Sequence, residues 1–212
     1  MAEHDLASFQ PPLKRADAAA NRARILEAAQ AVFAERGLDL EIGEIAGRAG
    51  LGVGTLYRHF ANREDLLRAI VVHSIHDSFK QLHTAVAFAG DDPQAALSAF
   101  ISTGLRVQHQ YGPLFAVIRD PRLNKMFDPL QLQAFQDKYF AIVLGILENG
   151  IQQRVLRSDL DRQIVAATLM GSLVTAHELL GRNWGLEELA QKLIRVHLAM
   201  LADVGNGAEA GS

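Results

Sequence analysis

Between Glu41 and Arg63 the chain reads as two short helices joined by a glycine turn, and this segment narrows the fold more than any other. Ile42, Ile45, Ala46 and Ala49 fall at i, i+3, i+4 and i+7, the period of a one-faced helix. Gly50 breaks that pattern, and a second helix can start near Gly52 or Val53. From Arg48 to Arg63 the chain carries three arginines, a histidine, a tyrosine and a threonine, and no acidic residue. A helix, a tight turn and a second helix bearing basic and hydroxyl side chains is the arrangement with which a helix-turn-helix meets the DNA major groove.

The second helix can be divided by face. At about 100° per residue, Leu56 and Phe60 fall on one side and Thr55, Arg58 and His59 on the other. The first pair is expected to pack on the preceding helices, and the second set to face a groove. Arg58 can fork onto guanine O6 and N7, and Thr55 can reach a base edge or a thymine methyl. Tyr57, His59 and Arg63 are placed for phosphates, while Gly54 lets the backbone approach DNA closely.

These residues also carry a family resemblance. Ile45-Ala46, Ala49-Gly50-Leu51, Gly54-Thr55-Leu56-Tyr57-Arg58-His59-Phe60 and Asn62-Arg63-Glu64-x-Leu66 together resemble the N-terminal domain of TetR-family repressors. Upstream, Arg24-Ile25-Leu26-x-Ala28-Ala29 and Phe33-x-Glu35-x-Gly37 fit its first helix. The resemblance covers about residues 20 to 67. It implies a dimeric regulator, double-stranded operator DNA as partner, and a small-molecule effector bound in the remainder of the chain. Gly54, Thr55, Tyr57, Arg58, His59 and Arg63 match the family's DNA-contacting positions. The chain departs from the family at Leu40-Glu41-Ile42, where threonine or serine is usual, at Gly52 in place of a capping serine, and at the apolar Val53.

A net charge of −3 does not oppose a DNA partner, because affinity depends on cations gathered on one face. Residues 1 to 63 hold eight Lys plus Arg and eight Asp plus Glu. Glu27, Glu35, Asp39, Glu41 and Glu44 all precede the acid-free window, so the charge is segregated. Weak, strongly salt-dependent non-specific binding is expected. The absence of cysteine excludes disulfides, thiolate metal sites and cysteine nucleophiles. Met1 to Pro12 includes Glu3 and Asp5 and lacks the apolar core of a signal peptide. The run from Ile164 to Ala176 is interrupted by Thr168, Ser172 and Thr175 and is too short to span a bilayer. A soluble, cytoplasmic protein with no membrane association is the expectation.

The organisation predicted is all-α: a three-helix helix-turn-helix domain joined to a larger helical domain for ligand binding and dimerisation. Residues 1–16 are expected as a flexible basic arm, 17–61 as the DNA-binding domain, 62–204 as the larger domain and 205–212 as a flexible tail. The first helix should run from Asp17 to Arg36, with Ile25, Ala29, Val32 and Phe33 inward and Gly37 as its stop. Asn62 can cap a fourth helix reaching about Ala89, with Glu64 and Asp65 in its dipole-favoured first turn. A fifth should start at Pro93 and end near Gly112-Pro113, with short pieces at Leu114–Arg119 and Arg122–Phe127. Pro129 to Arg154, Asp161 to Gly181 and Leu186 to Asp203 complete the set.

The last two helices are apolar around most of their circumference, so each needs a second surface to cover it. Ala167, Gly171 and Thr175 at spacing four, with Leu193, Val196 and Met200, are the expected homodimer seam. Aromatic residues concentrate between 79 and 140, on helices broken by prolines, which suits an apolar cavity. The expected ligand residues are Phe79, His83, Phe100, His109, Phe115, Phe135, Tyr139 and His177. His73, His76 and His83 share an edge of the fourth helix, but a metal site would need a further ligand, and neither metal nor cofactor is assigned. Gly50-x-Gly52-x-Gly54 follows no strand and precedes no Walker lysine, so it is not read as a phosphate loop. No acid/base pair or nucleophile turn is visible, and a non-enzyme is expected. The competing reading is a dimeric helical ligand-binding or adaptor protein whose helix-turn-helix does not touch DNA.

Overall fold

The computed structural model describes residues 12–180 and 183–202, and the described residues form eight α-helices and no strand. The all-α expectation therefore holds. The helices are α1 (Pro12–Arg36), α2 (Ile42–Arg48), α3 (Val53–His59), α4 (Arg63–Phe88), α5 (Pro93–Arg119), α6 (Pro129–Gln152), α7 (Arg162–Leu180) and α8 (Leu186–Leu201), with a 3-10 turn at Asn124–Met126. Because α1 opens at Pro12, residues 12–16 of the expected arm are helical; residues 1–11 and 205–212 lie outside the described residues. The described residues divide into two compact units that meet between His73 and Ser74, inside α4 rather than before it at residue 61.

In the first unit the core is built from the stripes that periodicity marks out. Ile25, Ala29, Val32 and Phe33 of α1 are buried, as are Ile45 and Ala46 of α2 and Leu56 of α3. Phe60 closes the end of α3, with the Arg22 guanidinium 5.1 Å from its ring centroid. Gly37 ends α1 at φ +62° and Gly50 turns the chain after α2 at φ +63°, a left-handed region costly for any residue with a Cβ. Asn62 caps α4 by accepting from the Asp65 N–H at 2.8 Å, and the Asp65 carboxylate accepts in return from the Ala61 N–H at 3.3 Å.

The second unit is organised around α5, which packs against α6, α7 and α8. Its buried Leu97, Phe100, Ile101 and Leu105 meet Val143 and Leu147 of α6, Leu169 and Leu173 of α7, and Ile194 and Leu201 of α8 in one apolar cluster. Aspartates start three of these helices. Asp92 accepts from the N–H groups of Gln94 and Ala95, Asp128 from Leu130, and Asp161 from Gln163 and Ile164. Pro93 and Pro129 occupy first-turn positions where no helical N–H is required.

Pro113 does not end α5. The helix continues through it to Arg119 and absorbs the piece expected at Leu114–Arg119. A proline ring fits there at the cost of one hydrogen bond, because it removes the donor that the His109 carbonyl would otherwise meet four residues on. Surrounding burial compensates: Leu105, Tyr111, Leu114 and Val117 are all inside. α7 is long and apolar enough, by length and composition, to cross a membrane, although its uncharged run looks too short when counted from Ile164 to Ala176. Only part of that apolarity faces the core, through Ala166, Leu169, Leu173 and Ala176.

Candidate functional site

On α3 the buried Leu56 orients the rest of the helix. With it turned inward, Gly54, Tyr57 and Arg58 are exposed, and Thr55 and His59 are half-buried. Val53 is exposed ahead of them. The Arg58 guanidinium lies along its own helix, where Nη2 donates to Thr55 Oγ1 at 2.9 Å and Nε to the Gly54 carbonyl at 3.4 Å. Arg63, at the first position of α4, is exposed. The structure thus brings the six expected DNA residues onto α3 and the start of α4.

Two acids of this unit, Glu35 and Glu44, are held away from α3. Arg48 forms a bidentate pair with Glu35 and a further bond with Glu44, whose other oxygen lies 3.0 Å from Arg36 Nε. The Arg48 hydrogen bonds hold the Glu35 carboxyl below the usual carboxylate range. Among the described residues neither Arg58 nor Arg63 has an ion pair. Two exposed cations without counter-ions, one of them on an α3 that carries no acidic residue, are free to meet phosphate oxygens. At the start of α2, Glu41 is the N-cap but makes no side-chain cap bond, and Gly52 does the same for α3, so neither departure from the family pattern is compensated locally.

The second unit contains an apolar cavity of about 380 Å³ between α4, α5, α6 and α7. This lies within the ~300–1,000 Å³ range of small-molecule sites. Of the expected ligand residues, Phe100, Phe115, Phe135 and Tyr139 line it. Phe79 and His83 lie off it, stacked on one another at 5.9 Å between ring centroids. Helix phase explains the difference. Ile75 and Leu82 face the cavity from within about 20° of each other, whereas Phe79 and His83 sit about 40° and 80° further round α4. Tyr139 is tied to α4, donating to the Ile75 carbonyl at 3.1 Å and bonding closely with Ser78. Its burial pushes the phenol pKa up.

His109 and His177 lie in a neighbouring recess, where Nδ1 of the first is 3.3 Å from Nε2 of the second. Burial, and then the proximity of His109, push the His177 imidazole below its usual range. Gln108 and Arg119 line both spaces. Among the described residues no set of three His, Cys, Asp or Glu groups gathers as metal ligands.

Sequence reasoning missed Gln108, Arg119, Gln136 and Met170 as cavity residues. The signal was present. If α5 is taken as unbroken, Phe100, Gly104, Val107, Phe115, Ile118 and Arg119 fall within about a third of a turn.

Of the expected seam residues, Ala167, Gly171, Thr175, Val196 and Met200 are exposed and Leu193 is half-buried. Ile164, Leu179, Val196 and Met200 are each more than half exposed, and on α7 Ile164, Gly171, Thr175 and Leu179 fall within about a quarter turn, so they share one face. Gly171 also lines the cavity, so it borders both surfaces.

The family model described as bacterial regulatory proteins, tetR family, matches residues 25–70. The HTH-type transcriptional repressor KstR2 of Rhodococcus jostii is 29% identical over 148 residues, 68% of this chain and 71% of the relative. The structure of the ketosteroid transcriptional regulator KstR2 of Mycobacterium tuberculosis superposes with a TM-score of 0.62 at 20% identity, covering 86% of this chain and 95% of that one. FadR from Bacillus subtilis, solved in complex with stearoyl-CoA, superposes with a TM-score of 0.64 at 21% identity, covering 84% and 97%. At these identities the two structures establish a shared fold.

Proposed function

We propose that this chain, which belongs to the TetR family of bacterial regulatory proteins and is a DNA-binding transcription regulator, works as a homodimeric repressor released from its operator by a small, largely apolar ligand. The observation that carries the reading is the acid-free face of α3. Leu56 and Phe60 anchor it, Arg58 and Thr55 point outward, and its cations are free of acidic partners among the described residues. Arg58 is assigned to a base edge, with Thr55 beside it. Tyr57, His59 and Arg63 are assigned to phosphates, and Gly54 to close backbone approach.

A single α3 reads one half-site, and a twofold dimer sets two of them about one DNA turn apart. The exposed apolar residues of α7 and α8 support pairing through this face, which also gives the lipid-like composition of α7 an aqueous explanation. The cavity lined by Phe100, Phe115, Phe135 and Tyr139 is assigned to the effector. α4 belongs to both units, so a ligand that prefers one setting of this helix can bias DNA binding, through its differential affinity for the two states.

The test is selection of bound duplexes from a random pool, followed by affinity measurements at rising salt. A pseudo-palindromic consensus, dimer stoichiometry and steep salt dependence are expected. Retention that is absent at low salt would refute the DNA reading and favour a helical adaptor that contacts protein.

A further inference from the structure

The cavity proposed for the effector is apolar with one exception. Among its lining residues Arg119, in the last turn of α5, is the only one with a formal charge. Of the remaining polar groups, the Tyr139 hydroxyl is committed to Ser78 and the Ile75 carbonyl, and Gln108 and Gln136 are neutral amides. Arg119 is engaged only lightly. One of its nitrogens, Nη2, donates to Glu178 Oε1 at 3.3 Å, and both side chains are about half exposed. A guanidinium has five N–H donors in a planar fork. A carboxylate presented in that plane accepts two parallel bonds where Glu178 accepts one.

We infer that the effector is an apolar molecule ending in a carboxylate, which takes Arg119 from Glu178. The inference rests on the reading of this cavity as the effector site. Helix phase sets the geometry. Phe100 and Ile118 share one direction within the α5 arc that faces the cavity, Gly104 and Phe115 lie about 40–60° round from them, and Arg119 lies about 100° round, at the rim. The neighbouring arc carries His109, Gly112 and Ala116 and faces the second recess, where Glu178 and His177 stand opposite from α7. Arg119 therefore stands between the apolar chamber and the recess that holds His109, His177 and Glu178. A ligand filling the first with its aromatic or aliphatic body brings its head to the guanidinium. The head meets Gln108 there as a further polar neighbour and displaces the Glu178 carboxylate toward solvent. A neutral ligand of equal size fills the same chamber but leaves the Arg119–Glu178 pair in place and gains no charge-assisted bond.

The experiment uses the full chain and two matched pairs of probes, 4-phenylbutanoate with 4-phenylbutan-1-ol and decanoate with decan-1-ol. Competition against the neutral dye Nile red reads cavity occupancy without regard to charge. Each acid is expected to compete at least about tenfold better than its alcohol. Arg119→Gln should bring the acid down to the level of the alcohol, and Glu178→Gln, by removing the internal competitor, should strengthen the acid. Circular dichroism melts on both variants establish that they are folded. Equal competition by acid and alcohol in the unaltered protein, or an acid preference that survives Arg119→Gln, overturns the carboxylate inference while leaving the cavity as effector site. Failure of all four probes to displace the dye overturns the cavity reading itself, and the inference with it.

Discussion

Replacing Arg58 by alanine separates base reading from simple attraction to DNA. In the free protein the guanidinium is folded back on its own helix, bonded to Thr55 Oγ1 at 2.9 Å and reaching the Gly54 carbonyl. Both partners belong to the same exposed surface, so this bond is worth only ~0.5–1.5 kcal/mol and is surrendered on binding. A bidentate contact to guanine contributes ~1–3 kcal/mol of discrimination, so two half-sites should lose ~2–6 kcal/mol in Arg58→Ala, roughly thirtyfold to twenty-thousandfold in affinity. The loss should fall on the selected operator and be small on a scrambled duplex. Thr55→Ala should lose less, because removing the hydroxyl also releases Arg58 from its resting bond. Arg63→Ala should weaken binding to every duplex alike and lower the salt slope by about one per half-site. Fluorescence anisotropy on selected, single-substituted and scrambled duplexes at several salt concentrations measures all three. Equal losses on every duplex for Arg58→Ala would move its guanidinium to a phosphate. No loss on the selected operator would remove α3 from the groove.

Val196→Glu should give a folded monomer by light scattering that no longer binds operator, since this exposed side chain carries no core packing within the protomer, while an unpaired charge in a buried seam costs several kcal/mol; a dimeric variant would place the interface elsewhere. Gly37→Ala and Gly50→Ala should each cost ~1–2 kcal/mol from the left-handed backbone alone. The two costs should be similar, because a Cβ at Gly50 would meet only the tip of the flexible Arg24 side chain, which can swing aside, and none meets Gly37; urea denaturation measures both. Phe100→Ala, at a fully buried ring in both core and cavity wall, should lose ~3–5 kcal/mol of stability in the same assay. His177, held below its usual value of 6.5, binds protons less readily folded than unfolded. Its contribution to stability is therefore lost as pH falls from about 6.5 through its folded value, and His177→Gln should flatten that part of a melting-temperature profile taken from about pH 7.5 to pH 5.5.

The first unit was readable because its information is local. Ile45, Ala46, Leu56 and Phe60 sit at helical spacing within twenty residues of one another, and their burial follows from that spacing once a glycine turn is placed between them. The outward set on α3 is the complement of the inward set, so locating Leu56 also locates Arg58. The same reasoning reached Phe100, Phe115, Phe135 and Tyr139 in the second unit but assigned Phe79, His83, His109 and His177 to the same space as them. An aromatic count along the chain carries no helix phase.

Pro113 is the residue at which the two kinds of information part. Read alone it ends a helix, because it removes a donor and crowds the preceding turn. In the folded chain, packing of α5 against α6, α7 and α8 supports the helix through it, and the residues on either side keep a common phase. That continuity puts Arg119 on the arc of Phe100 and at the rim of the cavity, opposite a glutamate fifty-nine positions away. Helical periodicity, glycine turns and aspartate caps are properties of a few neighbouring residues, and the chain alone settles them. Which faces close around an empty volume depends on the phase and packing of four helices at once, and no short window of sequence contains that relation.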